Sequence, residues 1–431
     1  MSPQVERADA TKRKDATTPK GATKRKGATT RNDPSHPLRV GLNLLFLGDR
    51  GGGAGRYAME LPGALLAAEP ATEVHVFVTR DAPAELRGQP WAQDVRWVTS
   101  PLGLGGSPAH LLAQFAGLPL LSRARRLDVL HSPANTGPVI TPGLASVVSL
   151  LDLIWLHRGP EWEPDTRASE RMLTLVRHCV RHADRVFAIS HAAADDFVHT
   201  LGVPRERIEV TPLGTRSATE IAPRARDMST ATPPNERDIS ASQRRLCERL
   251  ALQGKRVVLC VAQKRPYKNL DRLVRALSEL DRDVVLVLPG SSTPYELQLR
   301  ELANELGVQE RVRFPDWLSD DELAALYGLA DVFALPSLIE GFGIPVLEAM
   351  AHGTPVACSN VSALPEVAGD AALLFDPQRQ EEITGAIRTL LGDPELAARL
   401  RERGRERVAS FTWKRTGAAS LAGYRRAIAS R

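Results

Sequence analysis

The chain has 431 residues, 43% apolar, 25% charged and 5% aromatic, an ordinary globular composition with length for two to three domains. Its net charge of +5 lies in residues 1–37, where nine basic side chains (Arg7, Lys12, Arg13, Lys14, Lys20, Lys24, Arg25, Lys26, Arg31) outnumber four acidic ones (Glu6, Asp9, Asp15, Asp33), while residues 38–431 balance to zero. Charge therefore excludes a basic, nucleic-acid-type body, and no apolar run reaches the roughly 18–20 residues of a membrane-spanning helix.

Residues 1–37 repeat Ala-Thr-Lys-Arg-Lys at 10–14 and 22–26 and carry almost no large apolar side chain. Such a segment cannot bury enough surface to offset its ordering entropy, so it reads as a disordered basic tail. The alternative is a polybasic contact with an anionic membrane or nucleic acid. Cys179, Cys247, Cys260 and Cys358 are scattered, without metal-ligand spacing, as in a reducing compartment. No apolar segment follows the first basic residues, so a secretory signal is not expected. These features point to a soluble, cytoplasmic protein, with peripheral attachment to the inner face of the membrane as the variant.

The body opens with a predicted strand over Leu38–Leu45, a glycine run at Gly51-Gly52-Gly53-Ala54-Gly55 and a helix from Arg56 to Ala68. Further strands are predicted at Glu73–Thr79, Asp94–Val98, Val129–His131, Val147–Leu151 and Arg185–Ile189, with helices between. A second series follows at Arg256–Val261, Asp283–Leu288, Val312–Phe314, Val332–Leu335, Pro355–Ala357 and Ala372–Phe375. Alternating strands and helices give an α/β fold of two doubly wound, Rossmann-like domains facing a cleft. The expected boundaries are 38–214 for the first domain, 215–245 for a linker and 246–410 for the second domain. A C-terminal helix over 411–431 is expected to cross back to the first domain. Ligands in such sheets sit beyond the carboxyl ends of the strands.

The most informative segment runs from Pro336 to Gly353. A buried strand leads into a loop whose Gly341 and Gly343 permit close backbone approach. Pro345 suits the first turn of a helix and Gly353 its end. The free N–H groups of that helix start suit a phosphate. Glu340 before the loop and Glu348 one turn inside the helix are acceptor-only carboxylates, suited to hydroxyl groups. Phosphate in the middle and hydroxyls at both ends describe a nucleotide sugar. The bland alternative is two surface glutamates beside a structural turn. A second cluster, Gln263-Lys264-Arg265-Pro-Tyr-Lys268-Asn269, follows the first strand of the second series, and its three cations in five residues suit a diphosphate.

The first segment resembles the signature of retaining glycosyltransferases of family 4, which have the GT-B fold: two glutamates separated by seven residues, with Gly-Phe-Gly after the first. The similarity continues through Thr354-Pro-Val and Ser362-Ala-Leu-Pro-Glu366-Val-Ala-Gly-Asp370, and covers residues 38–415. It implies that Glu340 contacts hydroxyls of the donor sugar and that Glu348 holds the nucleotide ribose, with Gly341, Phe342, Gly343 and Ile344 around the donor. Lys268 matches the lysine that neutralises the diphosphate. Gln263 stands where the family often has arginine, and Lys264 or Arg265 is the expected substitute. Gly52 and Gly53 resemble the Gly-Gly-x-Gly-Arg-Tyr element that lines the cleft near the phosphates and acceptor, and the resemblance makes 38–214 the acceptor domain and 246–410 the nucleotide-sugar-binding domain.

Leu151, before Asp152, replaces a histidine that relatives place near the 6-hydroxyl of the donor sugar. It reads either as core or as a pocket wall favouring a 6-deoxyhexose. His131 and Ser190 match further strand-end positions near the donor. The Asp281-Arg-Asp283 triplet has the form of a metal-binding motif but lies at the amino end of its strand, so no metal cofactor is expected. The resemblance implies transfer of a hexosyl group, mannosyl or 6-deoxyhexosyl, from a nucleotide-diphosphate sugar to a glycan or lipid-linked acceptor in cell-surface polysaccharide or glycolipid synthesis. A sugar-nucleotide-binding protein with weakened catalysis is the alternative. The apolar run Leu111–Leu121 before Arg123, Arg125 and Arg126 reads as a buried helix or as a contact for a lipid-linked acceptor.

Overall fold

The computed structural model describes residues 36–47, 53–100, 113–157, 166–215 and 241–431. The basic tail, Gly51, Gly52, Leu111, Leu112 and most of the expected linker lie outside the described residues. Pro37–Arg431 hold together as one unit.

The first sheet is built from β1 (Arg39–Asn43), β2 (Glu73–Val78), β3 (Arg96–Thr99), β4 (Val129–Ser132), β5 (Ala145–Leu150), β6 (Arg185–Ala188) and β7 (Ile208–Val210). Its order is β3-β2-β1-β4-β5-β6-β7, with parallel pairing throughout. The second sheet takes β8 (Arg256–Leu259), β9 (Val284–Val287), β10 (Val312–Arg313), β11 (Val332–Leu335), β12 (Val356–Ser359) and β13 (Ala372–Phe375) in the order β10-β9-β8-β11-β12-β13, also parallel. Central strands such as β5, β9 and β11 are buried along their whole length, as expected where helices cover both faces. Full burial of each large apolar side chain in them stabilises the fold by about 1.5–3 kcal/mol. β7 was not expected: it is a three-residue edge strand whose pattern is too short to read. β3 begins two residues later than expected.

Each sheet reverses its winding once, between β1 and β4 and between β8 and β11. These two switch points open crevices at the carboxyl ends of the strands. Six helices matter to the site: α1 (Gly53–Ala68), α2 (His191–Leu201), α3 (Asp320–Leu329), α4 (Ile344–Ala351), α5 (Leu364–Ala368) and α6 (Trp413–Ala429). α6 lies across α1, and Gly417 meets the Ala64 carbonyl so closely that no Cβ would fit. Its side chains fasten it to the first sheet and its loops: Thr416 Oγ1 donates to the Pro212 carbonyl at 2.7 Å, and Arg426 pairs with Glu209 beside β6.

Candidate active site

The loop after β8 and the loop after β11 start from neighbouring strands at the second switch point. Backbone and side-chain bonds lock them together. Leu338 N–H donates to the Tyr267 carbonyl at 2.9 Å, and the Asn269 amide donates to the Pro336 and Pro377 carbonyls at 3.0 and 2.9 Å. This brings Lys268 Nζ to 2.6 Å from Glu340 Oε1, with only 13% and 9% of the two side chains exposed. Ser337 Oγ donates to the same carboxylate oxygen at 2.7 Å. Burial pulls the Lys268 pKa down, but the Glu340 charge more than offsets this and leaves it raised, so the ammonium form persists.

Glu340 is followed by the two glycines. A Cβ on Gly341 would come within 2.9 Å of Asp152 Cβ and 3.1 Å of the Leu151 carbonyl, so the residue permits the two halves of the molecule to touch. Gly343 has φ +109° and starts α4, with Pro345 in the first turn. Gly343, at the N-cap, has no side chain with which to cap α4, and the first amide, on Ile344, is one that the helix itself leaves without an acceptor. One turn on, Glu348 is held on both oxygens: Tyr327 of α3 donates its hydroxyl to Oε2 at 2.9 Å, and Arg56 of α1 donates to Oε1. Burial, then the neighbouring Glu348 charge, raise the Tyr327 pKa, so its hydroxyl stays a donor.

Arg56, Tyr327 and Ser337 were missed as site residues. Arg56 had a signal, because it sits in the first turn of the helix that follows the glycine run. Tyr327 and Ser337 had none, since their roles depend on tertiary contacts.

Several expected donor contacts have other employment. Lys264 is 1% exposed, pairs with Glu296 at 3.1 Å and donates to the Gly290 carbonyl, so its charge is neutralised inside the second half. Arg265 and Gln263 are exposed on the loop after β8. The Phe342 ring is buried and meets Phe411 edge to face at 5.8 Å, as core rather than as a ligand contact. Ser190 is fully buried: its hydroxyl accepts from Ala193 N–H as the cap of α2 and donates to the Gly341 carbonyl, both at 2.9 Å. It joins the two halves and has no side-chain surface to offer a donor.

His131 is fully buried between the Tyr424 hydroxyl and Ser149 Oγ, each at 2.7 Å, and burial pushes its pKa down to about 3. It anchors α6 instead of facing the cleft. Leu151 is 9% exposed and packs in the core, so its apolarity needs no donor to explain it. Asp152 accepts from Ile154 N–H at 3.1 Å and packs against Gly341. Gly53 opens α1 with free space where a Cβ would go, while Gly52 lies outside the described residues. Both carboxylates of the Asp281-Arg-Asp283 triplet pair with Arg256, at 2.7 and 2.8 Å.

The halves also meet at α5, where Glu366 accepts from His191 N–H at 2.9 Å and from Ala192 N–H at 3.3 Å, at the start of α2. A carboxylate thus occupies one helix N-terminus at the boundary, while the N-terminus of α4 is open.

Two doubly wound halves, with a cation, two carboxylates and an uncapped helix start gathered at one switch point, have the architecture of the GT-B fold. The chain belongs to the glycosyltransferases, matching the model for Glycosyl transferases group 1 over residues 244–407 and that for Glycosyltransferase Family 4 over residues 51–217. It is 32% identical over 276 residues to MMP alpha-(1->4)-mannosyltransferase of Mycolicibacterium hassiacum, a match covering 62% of this chain and 60% of that one. It is 27% identical over 393 residues to O-antigen chain mannosyltransferase B of Escherichia coli, covering 86% and 96%. The structure of Anabaena Alr3699/HepE in complex with UDP and glucose has the same fold, with a TM-score of 0.65 at 20% identity over 89% of this chain and 98% of that one.

Proposed function

We propose that the chain is a retaining hexosyltransferase that moves a mannosyl group from a nucleotide-diphosphate sugar to a hydroxyl of a glycan or lipid-linked acceptor. The observation that carries this reading is the Lys268–Glu340 pair next to the uncapped N-terminus of α4, with Glu348 one turn further on. Lys268 and the Ile344 amide balance the diphosphate charge, without a divalent ion. Glu340 takes hydroxyls of the sugar, and Glu348 takes those of the ribose. No carboxylate stands as a nucleophile in this scheme. The acceptor hydroxyl attacks from the leaving-group face, a phosphate oxygen of the donor takes its proton, and the diphosphate leaves with the bonding electron pair. The protein contributes orientation and stabilisation of the developing charge.

The mannosyltransferase names of the relatives support mannose as the sugar. The intact Lys268–Glu340 pair favours transfer over binding alone. Among the described residues no helix is long and apolar enough to cross a membrane. A lipid-linked acceptor would be met peripherally, with the basic tail as the contact for anionic lipid.

The test is release of nucleotide from GDP-mannose, UDP-glucose and GDP-linked 6-deoxyhexose by the purified full chain, with and without EDTA. Release from GDP-mannose, undiminished by EDTA and with the anomeric configuration retained in the product, supports the reading. Absence of release from every donor overturns it. Preferential use of the 6-deoxyhexose donor replaces mannose.

A further inference from the structure

Position 263 of the second half, where the resemblance expects arginine, carries no charge. Lys264 is buried against Glu296, Gln263 is uncharged, and Lys268 is already paired with Glu340. A diphosphate leaving group with two negative charges therefore meets one ammonium, itself partly neutralised, one helix end, and Arg265, whose side chain is exposed to solvent on the same loop. The first half offers a further cation at the same switch point. Arg56 stands in the first turn of α1 and reaches Glu348 in the second turn of α4, so the starts of the two helices are bridged by one arginine–glutamate pair. The positive ends of both dipoles favour an anion there. Glu348 lies four residues along α4 from Ile344, about 6 Å at 1.5 Å per residue. That distance is within the swing of an arginine side chain, whose planar fork suits phosphate oxygens.

We infer that Arg56 is a donor-binding residue that exchanges partners, leaving Glu348 as the ribose hydroxyls arrive and moving its guanidinium onto the diphosphate, where it supplies the charge absent at Gln263. The inference rests on the donor reading above. In the unliganded protein the Arg56–Glu348 pair keeps both groups in place across the cleft. In the complex each finds a substrate partner, and the two halves are tied together through the donor.

The alternative role for Arg56 is a fixed strut, and the two roles predict opposite signs. If Arg56 only blocks Glu348, its removal frees the carboxylate and nucleotide binds more tightly. If Arg56 moves to the phosphates, its removal weakens binding. The experiment is calorimetric titration of the full-length wild type, Arg56→Gln, Arg56→Lys and Arg56→Gln/Gln263→Arg with GDP and, separately, UDP, with thermal unfolding to compare folding. The expected result is at least tenfold weaker binding of the preferred nucleotide by Arg56→Gln, a smaller loss for Arg56→Lys, and recovery of most of the affinity when Gln263→Arg restores a cation from the other side. Unchanged or tighter binding by a folded Arg56→Gln protein overturns the inference and leaves the donor reading intact. If Arg56→Gln fails to fold, Arg56→Lys at wild-type affinity, with no gain from Gln263→Arg in that background, has the same force. Failure of the wild type to bind either nucleotide overturns the donor reading and the inference together.

Discussion

The two halves have similar sheets, yet their strand ends serve different ends. In the first half the polar groups at the carboxyl ends are occupied by the protein itself. Ser190 caps α2 and bonds the Gly341 carbonyl, His131 sits between Ser149 and Tyr424, and the start of α2 is filled by Glu366. In the second half Lys268, Glu340 and the start of α4 are gathered at the switch point with an amide end uncapped. One fold, used twice, gives one half whose strand-end groups hold the protein together and one half proposed to take the donor, with Arg56 reaching to it from α1. The difference comes from a few side chains, since both helix starts carry the same backbone dipole.

The sharpest way to break this comparison is at the Lys268–Glu340 pair. Lys268→Met or Glu340→Gln is expected to lower turnover of the donor about 10²–10³-fold, the usual effect of losing a charge-stabilising group. Each single change also strands a buried charge or a buried polar group and lowers stability, up to about 3–5 kcal/mol where the charge remains. The double variant Lys268→Met/Glu340→Gln recovers much of that stability in a denaturant titration while turnover stays lost. Recovery of turnover with stability would make the pair structural.

Lys264 sharpens the comparison within the second half. Lys264→Met removes a buried, charge-assisted bond to Glu296 and is expected to cost about 2 kcal/mol of stability. Turnover per folded molecule, measured after correcting for the folded fraction, should be unchanged. A selective loss of donor affinity would return Lys264 to the site.

His131 tests the holding half through pH. Its pKa is pushed from an ordinary 6.5 to about 3, so below pH 6.5 the unfolded chain binds a proton that the folded protein refuses. Its contribution to stability is therefore lost as pH falls from 6.5 towards 3, by about 1.4 kcal/mol per pH unit. Comparison of wild type with His131→Gln in urea at pH 7 and pH 5 should show a shallower pH slope in the variant. Equal slopes would mean that His131 takes up its proton as readily in the fold as in the unfolded chain. Ser190→Ala carries the smallest effect, about 1 kcal/mol for loss of a helix cap, read from the unfolding midpoint, with donor affinity within a few-fold of wild type.

Much of this arrangement was legible in the sequence. The α/β alternation followed from apolar runs between helical stretches, and Glu340, Glu348 and Lys268 stood out because loop, proline and glycine signals agreed around them. The remainder depended on distant partners. Lys264 and Lys268 look alike in a row of cations, and only Glu296, 32 residues away, buries one of them. Ser190 looks free until the Gly341 carbonyl reaches it. His131 reads as a strand end facing a cleft until α6 folds over it. Arg56 was in view as part of the Gly-Arg-Tyr element, but its partner Glu348 lies in the other half.

The central claim is that the donor is held at the start of α4, with Arg56 reaching over from α1, and not at the Ser190–Ala193 strand end of the first half. Hydrogen–deuterium exchange on the full chain, with and without saturating GDP-mannose, measures this directly. The account predicts new protection in peptides covering Lys264–Asn269 and Glu340–Glu348, with His191–Ala193 unchanged because Ser190 and Glu366 already hold those amides. Protection at His191–Ala193, with none over Glu340–Glu348, would contradict it.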